Sequence, residues 1–271
     1  MKGKSTIAVA AAVVAALAVV AVAAAAVTPP PAIKSAGKIV FCTDATYPPE
    51  ESIPTGSTKP VGSDIDIGSA VAAQMGVKAT FKNTTFDSII AALKAKKCDA
   101  VISGMNDTPD RRKQVDFVDY LKVGQSIMVK AGNPEHLTGL ASLSGKTVSV
   151  ESGTTNRDFL AAQSAKLVKA GKKAISIKTF PKDTDAASAL KAGRTDAYFG
   201  DSPVAAYYVS KDKAFAIGGS PIAPLNIGIA IRKGDPLKAA TQKAIAAMYA
   251  NGTMKKIVAK WGMSHAVTLL K

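Results

Sequence analysis

The sequence predicts an α/β protein of two Rossmann-like lobes joined by a two-strand hinge, and three observations carry the prediction. Short β-like runs alternate with helical stretches, and this alternation occurs twice with a comparable layout. Polar, Gly- and Thr-bearing segments follow the runs' C-terminal ends, where open parallel sheets collect ligand groups. Two further runs, 123–129 (VGQSIMV) and 226–231 (NIGIAI), read as extended crossings between the two units.

The chain opens with Lys2 and Lys4, followed by an unbroken Ala, Val, Leu and Ile run over 7–27. A basic start, an apolar run and small residues over 23–26 read as an export signal. The run is also just long enough to span a bilayer. Residues 1–32 are therefore expected to be a signal peptide or an N-terminal membrane anchor, with Thr28-Pro29-Pro30-Pro31 ending any helix. No Cys lies near the candidate cleavage sites, so no lipid-anchored start is expected. In either case the body is exported, periplasmic or at the cell surface.

In the first unit, 38–43 (KIVFCT) reads as a strand, 66–75 as a helix closed by Gly76, and 78–82 as a second strand. Apolar spacings of three and four make 86–96 a helix, and 98–103 (CDAVIS) is a third strand. In the second unit, the strand 147–150 leads through Gly153-Thr154-Thr155-Asn156 into a helix over 157–170. A strand over 174–179, a helix over 185–192 and a strand over 196–199 come next, entering Gly200-Asp201-Ser202-Pro203. The tail, 237–248 and 253–261, is helical and is expected to pack back on the first lobe. The expected division is 38–123 for lobe 1, completed by 229–271, and 124–228 for lobe 2.

With 47% hydrophobic and 20% charged residues, the 271-residue chain has the material for a full core. Its formal charge of +15 comes largely from Lys scattered along expected helices, which reads as a solvated surface. Aromatics are only 6% and no basic stripe interleaves with them, so nucleic acid is excluded as a partner. Of the two cysteines, Cys42 falls near the end of its strand and Cys98 at the start of the neighbouring one. An offset of three extended residues is ~10 Å, too far for a bridge, so buried free thiols are expected.

No H-E-x-x-H, G-x-S-x-G, P-loop or G-x-G-x-x-G pattern occurs, and His136 and His265 stand apart from nucleophilic motifs. The strand ends instead collect groups suited to a zwitterion. They are Asp44 to Pro49 after the first strand, Ser103-Gly104-Met105-Asn106 and then Arg111 after the third, and Thr154, Thr155 and Asp201 in the second unit. Helix N-terminal amides and a guanidinium fork suit a carboxylate. A partly buried Asp suits an ammonium.

In order along the chain stand DATYPP (44–49), VGSDIDIG (61–68), TFDSIIAALKAKKCDAVISGMNDTPDRRKQVDF (85–117), LSGKTVSVESGTT (143–155), LKAGRTDAYFGDSPVAAYYV (190–209), IAIRKGDPL (229–237) and NGTMKKIVAKW (251–261). In these pieces the chain resembles the bacterial extracellular solute-binding proteins of family 3, the polar-amino-acid receptors of ABC importers. The resemblance covers nearly all of 38–263. It implies the periplasmic-binding-protein-like type II fold, an amino-acid ligand, a membrane ABC permease as partner, a monomer and no cofactor. It also implies that Tyr47 and Phe86 sandwich the ligand, that Ser103, Gly104 and Met105 meet it, and that Arg111, Thr154 and Thr155 hold its carboxylate. Asp201 then holds its ammonium.

The chain departs from the family pattern at Ser63, at Glu50 and Glu51 after the YPP turn, in the shortened 116–121 segment, and at Glu151. These changes are expected to make the mouth of lobe 1 more acidic. Asp44, Asp64, Glu151 and Glu50 then favour a cationic side chain, arginine or lysine, over a neutral polar one such as glutamine. Two rivals stand beside the receptor. A dehydratase-like enzyme on the same fold would need a protonated acid, with Glu151 the candidate. A sensor domain would need an output segment, and only ten residues follow Trp261.

Overall fold

A computed structural model describes residues 27–270. The signal or anchor expected over 1–32 lies, up to residue 26, outside the described residues. The segment from Val27 onward packs on the first lobe. Val27 N donates to Gln74 O at 2.9 Å, and helix α1 (Pro31–Ala36) buries Ile33. The proline run starts a helix, because a Pro in the first turn gives up no hydrogen bond. No described helix is long and apolar enough to cross a membrane.

The first lobe opens with β1 (Lys38–Thr43), the short pair β2 (Thr46–Tyr47) and β3 (Glu51–Ser52), helix α2 (Ser63–Gln74) and β4 (Lys78–Asn83). A 3-10 turn (Phe86–Ser88) leads into α3 (Ile89–Lys94), then β5 (Ala100–Val101) and α4 (Pro109–Arg112). Helix α2 begins three residues earlier than its periodicity predicts. Its first amides reach back, Ser63 N to Pro49 O at 3.0 Å and Asp64 N to Glu50 O at 2.9 Å. Gly62 permits that approach: at its φ of 150°, a Cβ would sit 1.9 Å from Glu50 O.

The long strand β6 (Val115–Lys130) carries the chain into the second lobe. There the chain forms β7 (Thr147–Glu151), α5 (Thr155–Lys169), β8 (Ser176–Phe180), α6 (Asp183–Lys191), β9 (Ala197–Asp201), α7 (Ser202–Lys211) and β10 (Phe215–Ile217). Strand β11 (Ile222–Arg232) returns, and α8 (Leu237–Ala250), α9 (Thr253–Lys260) and β12 (Val267–Leu269) complete the described chain. The main sheet runs β4-β1-β5-β11-β6-β9-β7-β8. β1 pairs in parallel with β4 and β5, and β7 pairs in parallel with β8 and β9. The antiparallel pair β6 and β11 joins the halves, as the two extended runs predict, although both strands are longer than those runs.

Each half has its own core. Helices α8 and α9 bury Leu237, Ile245, Met248, Met254 and Ile257 against Ile39, Phe41 and Ile67, which returns the tail to the first lobe. A separate cluster around Val148, Val150, Leu160 and Phe199 fills the second lobe.

The expectation of free thiols is overturned: Cys42 and Cys98 form a disulfide with a Cα–Cα distance of 5.7 Å. The error lay in treating 98–103 as one extended strand. β5 spans only Ala100–Val101, and Cys98 sits in a bend after Lys96, whose φ is +57°. The chain there folds back under β1 instead of running away from it, so counting residues at strand spacing overstates the separation.

Candidate functional site

Loops at the strand ends of lobe 1 form one wall of a cleft, and buried side chains brace them. Asp44 N donates to Ser103 Oγ at 2.9 Å, and Ser103 Oγ donates to Glu51 Oε1 at 2.8 Å. Asp64 Oδ2 accepts from Gly104 N and from Tyr120 OH, both at 2.7 Å. Asp44 accepts from Thr46 Oγ1 at 2.8 Å and from Phe86 N at 2.7 Å. Burial pushes Glu51 well above the usual carboxylate range and Asp64 up to about 6. Glu50 and Glu51 are almost fully buried, so they belong beneath the loops rather than at an acidic mouth.

Lobe 2 supplies the other wall from the end of β7, the start of α5 and the end of β9. Thr154 caps α5: its Oγ1 accepts from Arg157 N at 3.2 Å and donates to Glu151 O at 2.8 Å. Asp201 Oδ1 accepts from Asn156 Nδ2 at 3.2 Å. Burial raises Asp201 to about 7, with its amide neighbour, Tyr47 and Arg111 pulling the other way.

The two walls meet. Asp201 N donates to Tyr47 OH at 3.1 Å, Asp183 N donates to Thr46 Oγ1 at 3.2 Å, and Thr155 Oγ1 donates to Asn106 Oδ1. Arg111 ties both sides, donating from Nη1 to Asn106 O at 2.9 Å and from Nη2 to Gly153 O at 3.2 Å. Its guanidinium lies 5.3 Å from the Phe86 ring centre. Burial lowers Arg111 from its ordinary value, while Asp201 opposes that shift.

Between the closed walls a cavity of only about 10 Å³ remains, room for about one water, so a larger ligand enters only when the lobes part. Lobe 1 lines it with Tyr47, Phe86, Gly104 and Asn106, and lobe 2 with Glu151, Thr154, Thr155, Asn156 and Asp201. Three buried polar atoms of this lining have no protein partner: Asn106 Nδ2, Glu151 Oε1 and Asn156 Oδ1. One donor and two acceptors are thus left for a small polar molecule. A larger groove of about 470 Å³, open to solvent, lies between α7 and the C-terminal segment, with Tyr207, Lys211 and Trp261 in its walls. Its lining has no carboxylate and no unpartnered buried polar atom, so it lacks the groups a zwitterion needs.

Of the residues singled out from sequence, seven line the cavity: Tyr47, Phe86, Gly104, Glu151, Thr154, Thr155 and Asp201. Asp44 and Arg111 do not line the cavity but touch its lining: Asp44 accepts from Phe86 N, and Arg111 lies over the Phe86 ring. Ser103, Asp64 and Met105 are elsewhere. The polar atoms of the first two serve the internal network, and Met105 packs among Cys42, Leu93 and Phe117. Asn106 and Asn156 were missed as site residues although they adjoin the motifs that point to the site. Asp183, which begins α6, carried no sequence signal.

The second lobe comes close to the first at Gly153. Its φ is +74°, and a Cβ there would lie 2.7 Å from Asp87 Cα across the cleft. Gly153→Ala is expected to weaken ligand binding about 10- to 100-fold, because the methyl group opposes closure. The left-handed backbone alone costs only roughly 1–2 kcal/mol of stability. Ligand titration set beside thermal unfolding of the ligand-free variant checks this: affinity should fall far more than stability.

The family profile of the bacterial extracellular solute-binding proteins, family 3, matches residues 39–264. The ABC transporter arginine-binding protein 1 of Escherichia coli K12 is 34% identical over 235 residues, which is 84% of this chain and 91% of that protein. A solved ancestral arginine-binding protein bound to arginine is 38% identical, with a TM-score of 0.76 over 83% of this chain and 98% of its own. An ancestral arginine-binding protein bound to glutamine is 40% identical, with a TM-score of 0.74 over 84% and 99%. The repeated α/β lobes, the paired hinge strands and the profile match over 39–264 agree, and the chain belongs to the bacterial extracellular solute-binding proteins, family 3.

Proposed function

We propose that this protein is an extracytoplasmic receptor that closes on one polar α-amino acid, preferably arginine or lysine, and delivers it to an ABC permease. The observation that carries the reading is a guanidinium, Arg111, over the ring of the lining residue Phe86, together with a buried carboxylate, Asp201, in a cavity whose other charged lining residue, Glu151, is acidic. In this pose Arg111, the α5 N-terminus and the hydroxyls of Thr154 and Thr155 hold the ligand carboxylate. Asp201 holds the ammonium, and Tyr47 and Phe86 flank the side chain. Asp44 and Glu151 receive a cationic terminus.

The lobes divide at the β6–β11 pair, with 38–123 and 229–271 in one and 124–228 in the other. Their separate cores and the bonds that cross the cleft support this division. We expect it to act as a monomer, and as a receptor without cofactor or catalysis, a role that suits groups placed to grip a zwitterion. A second reading, a receptor for glutamine or another neutral polar amino acid, is favoured by the glutamine-bound structure among the similar ones.

Calorimetry on refolded, ligand-stripped protein with the twenty amino acids separates the readings. Arginine or lysine is expected to bind tightest. Clear heat with glutamine and none with either basic amino acid would replace the first reading by the second.

A further inference from the structure

Lobe closure gathers carboxylates from both sides at one end of the cleft. Asp44 comes from the β1–β2 loop of lobe 1, while Glu151 ends β7 and Asp183 begins α6 in lobe 2. A single hydroxyl links the sides: Thr46 Oγ1 donates to Asp44 at 2.8 Å and accepts from Asp183 N at 3.2 Å. Asp183 is capped by Tyr198 OH at 2.6 Å and Tyr208 OH at 2.9 Å, and Asp44 by Thr46 Oγ1 and Phe86 N. Glu151 is different. It is 3% exposed, it lines the cavity, and its Oε1 has no protein partner.

The titratable groups that bear on Glu151 are Asp44 from the β1–β2 loop, Asp183 from α6, Asp201 at the end of β9 and Tyr208 from α7. Among the described residues none of Glu151, Asp44 and Asp183 forms a salt bridge. Crowded carboxylates sealed from water do not all ionise, so protons stay on the group until a cation replaces them. Burial accordingly raises all three, Asp183 to about 7.

We propose that Glu151 reads the charge of the ligand's side chain: a cationic side chain displaces a proton shared among Glu151, Asp44 and Asp183, whereas a neutral side chain leaves it in place. The inference rests on the basic-amino-acid reading above and adds to it a mechanism and a residue. A ligand cation lowers the carboxylates' proton affinity, so the closed complex with arginine holds fewer protons than the closed complex with a neutral ligand. The advantage of arginine over a neutral ligand is then full above the titration range of the closed cluster and shrinks as pH falls through it. Every α-amino acid brings an ammonium to Asp201, so that site contributes alike for all ligands. The difference between a cationic and a neutral ligand isolates the Glu151 end.

The test is calorimetry on the full, ligand-stripped protein with arginine, citrulline (its neutral isostere) and glutamine, in buffers of different ionisation enthalpy, from pH 5 to 8. Arginine is expected to release about one proton more than either neutral ligand, and its advantage in Kd should shrink by up to about tenfold per pH unit on acidification. Glu151→Gln should remove that excess release. The parent protein's comparison of ligands stands even if the variant fails to fold. Arginine binding with the same proton count as the neutral ligands, or a Kd ratio constant from pH 5 to 8, overturns this inference alone. Firm glutamine binding with no arginine binding at pH 8 overturns the basic-amino-acid reading, and this inference with it.

Discussion

Arg111→Ala is expected to abolish measurable binding of every α-amino acid, with a loss of roughly 100-fold or more in affinity. The ligand carboxylate would be enclosed without its charged partner, which costs about 3–5 kcal/mol. The side chain also bridges the lobes through Asn106 O and Gly153 O, so its removal loosens the closed form as well. Arg111→Lys should recover part of the loss, since an ammonium keeps the charge but cannot span both carbonyls and stack on Phe86. The unfolding midpoint of the ligand-free protein should move little, because these contacts lie between the lobes rather than within their cores. Calorimetric titration beside thermal unfolding checks both expectations. An Arg111→Ala protein that binds as the parent does would place the ligand carboxylate elsewhere.

The second large effect is on stability. The Cys42–Cys98 bridge joins residues 56 apart in sequence, and a closed loop of that length removes about 4 kcal/mol of freedom from the unfolded chain. The sulfurs also pack among Ile89, Leu93, Val101 and Val115 beneath β1. The double replacement Cys42→Ala/Cys98→Ala should therefore lower the urea midpoint markedly, and reductant should shift the parent the same way. Ligand affinity at a temperature where the variant is folded should change far less, since the cavity lining includes neither cysteine. A parent protein fully reduced at an unchanged midpoint would show that the bridge contributes nothing to lobe 1.

How far each residue could be read depended on the range of the interaction that defines it. Helix periodicity, the Gly76 position and the order of strand-end motifs depend on near neighbours, and these are written along the chain. They were sufficient for the two α/β units, the hinge pair, and the strand-end residues Thr154, Thr155 and Asp201, whereas Tyr47 and Phe86 were singled out by the family resemblance. Asp64 and Ser103 look identical in sequence whether they face a ligand or a neighbour. Their partners, Tyr120 and Glu51, lie 56 and 52 residues away, and only the packed loops show that their polar atoms serve the scaffold. Glu50 and Glu51 likewise read as exposed acids until α2 closes over them.

By itself, the sequence determined the architecture and the groups that meet at the cleft, because hydrophobic period and strand-end placement follow from local chain geometry. Tertiary structure decided three further matters. The bend at Lys96–Cys98 brought two cysteines within bridging distance. Burial turned a scatter of acids into two networks, one bracing lobe 1 and one at the end of the cleft where Asp44, Glu151 and Asp183 gather. Lobe closure set Asp183, silent in sequence, beside Asp44 and Glu151. In each case the deciding quantity was a distance between residues far apart in the chain, or the water removed from around a charge, and neither is a local property.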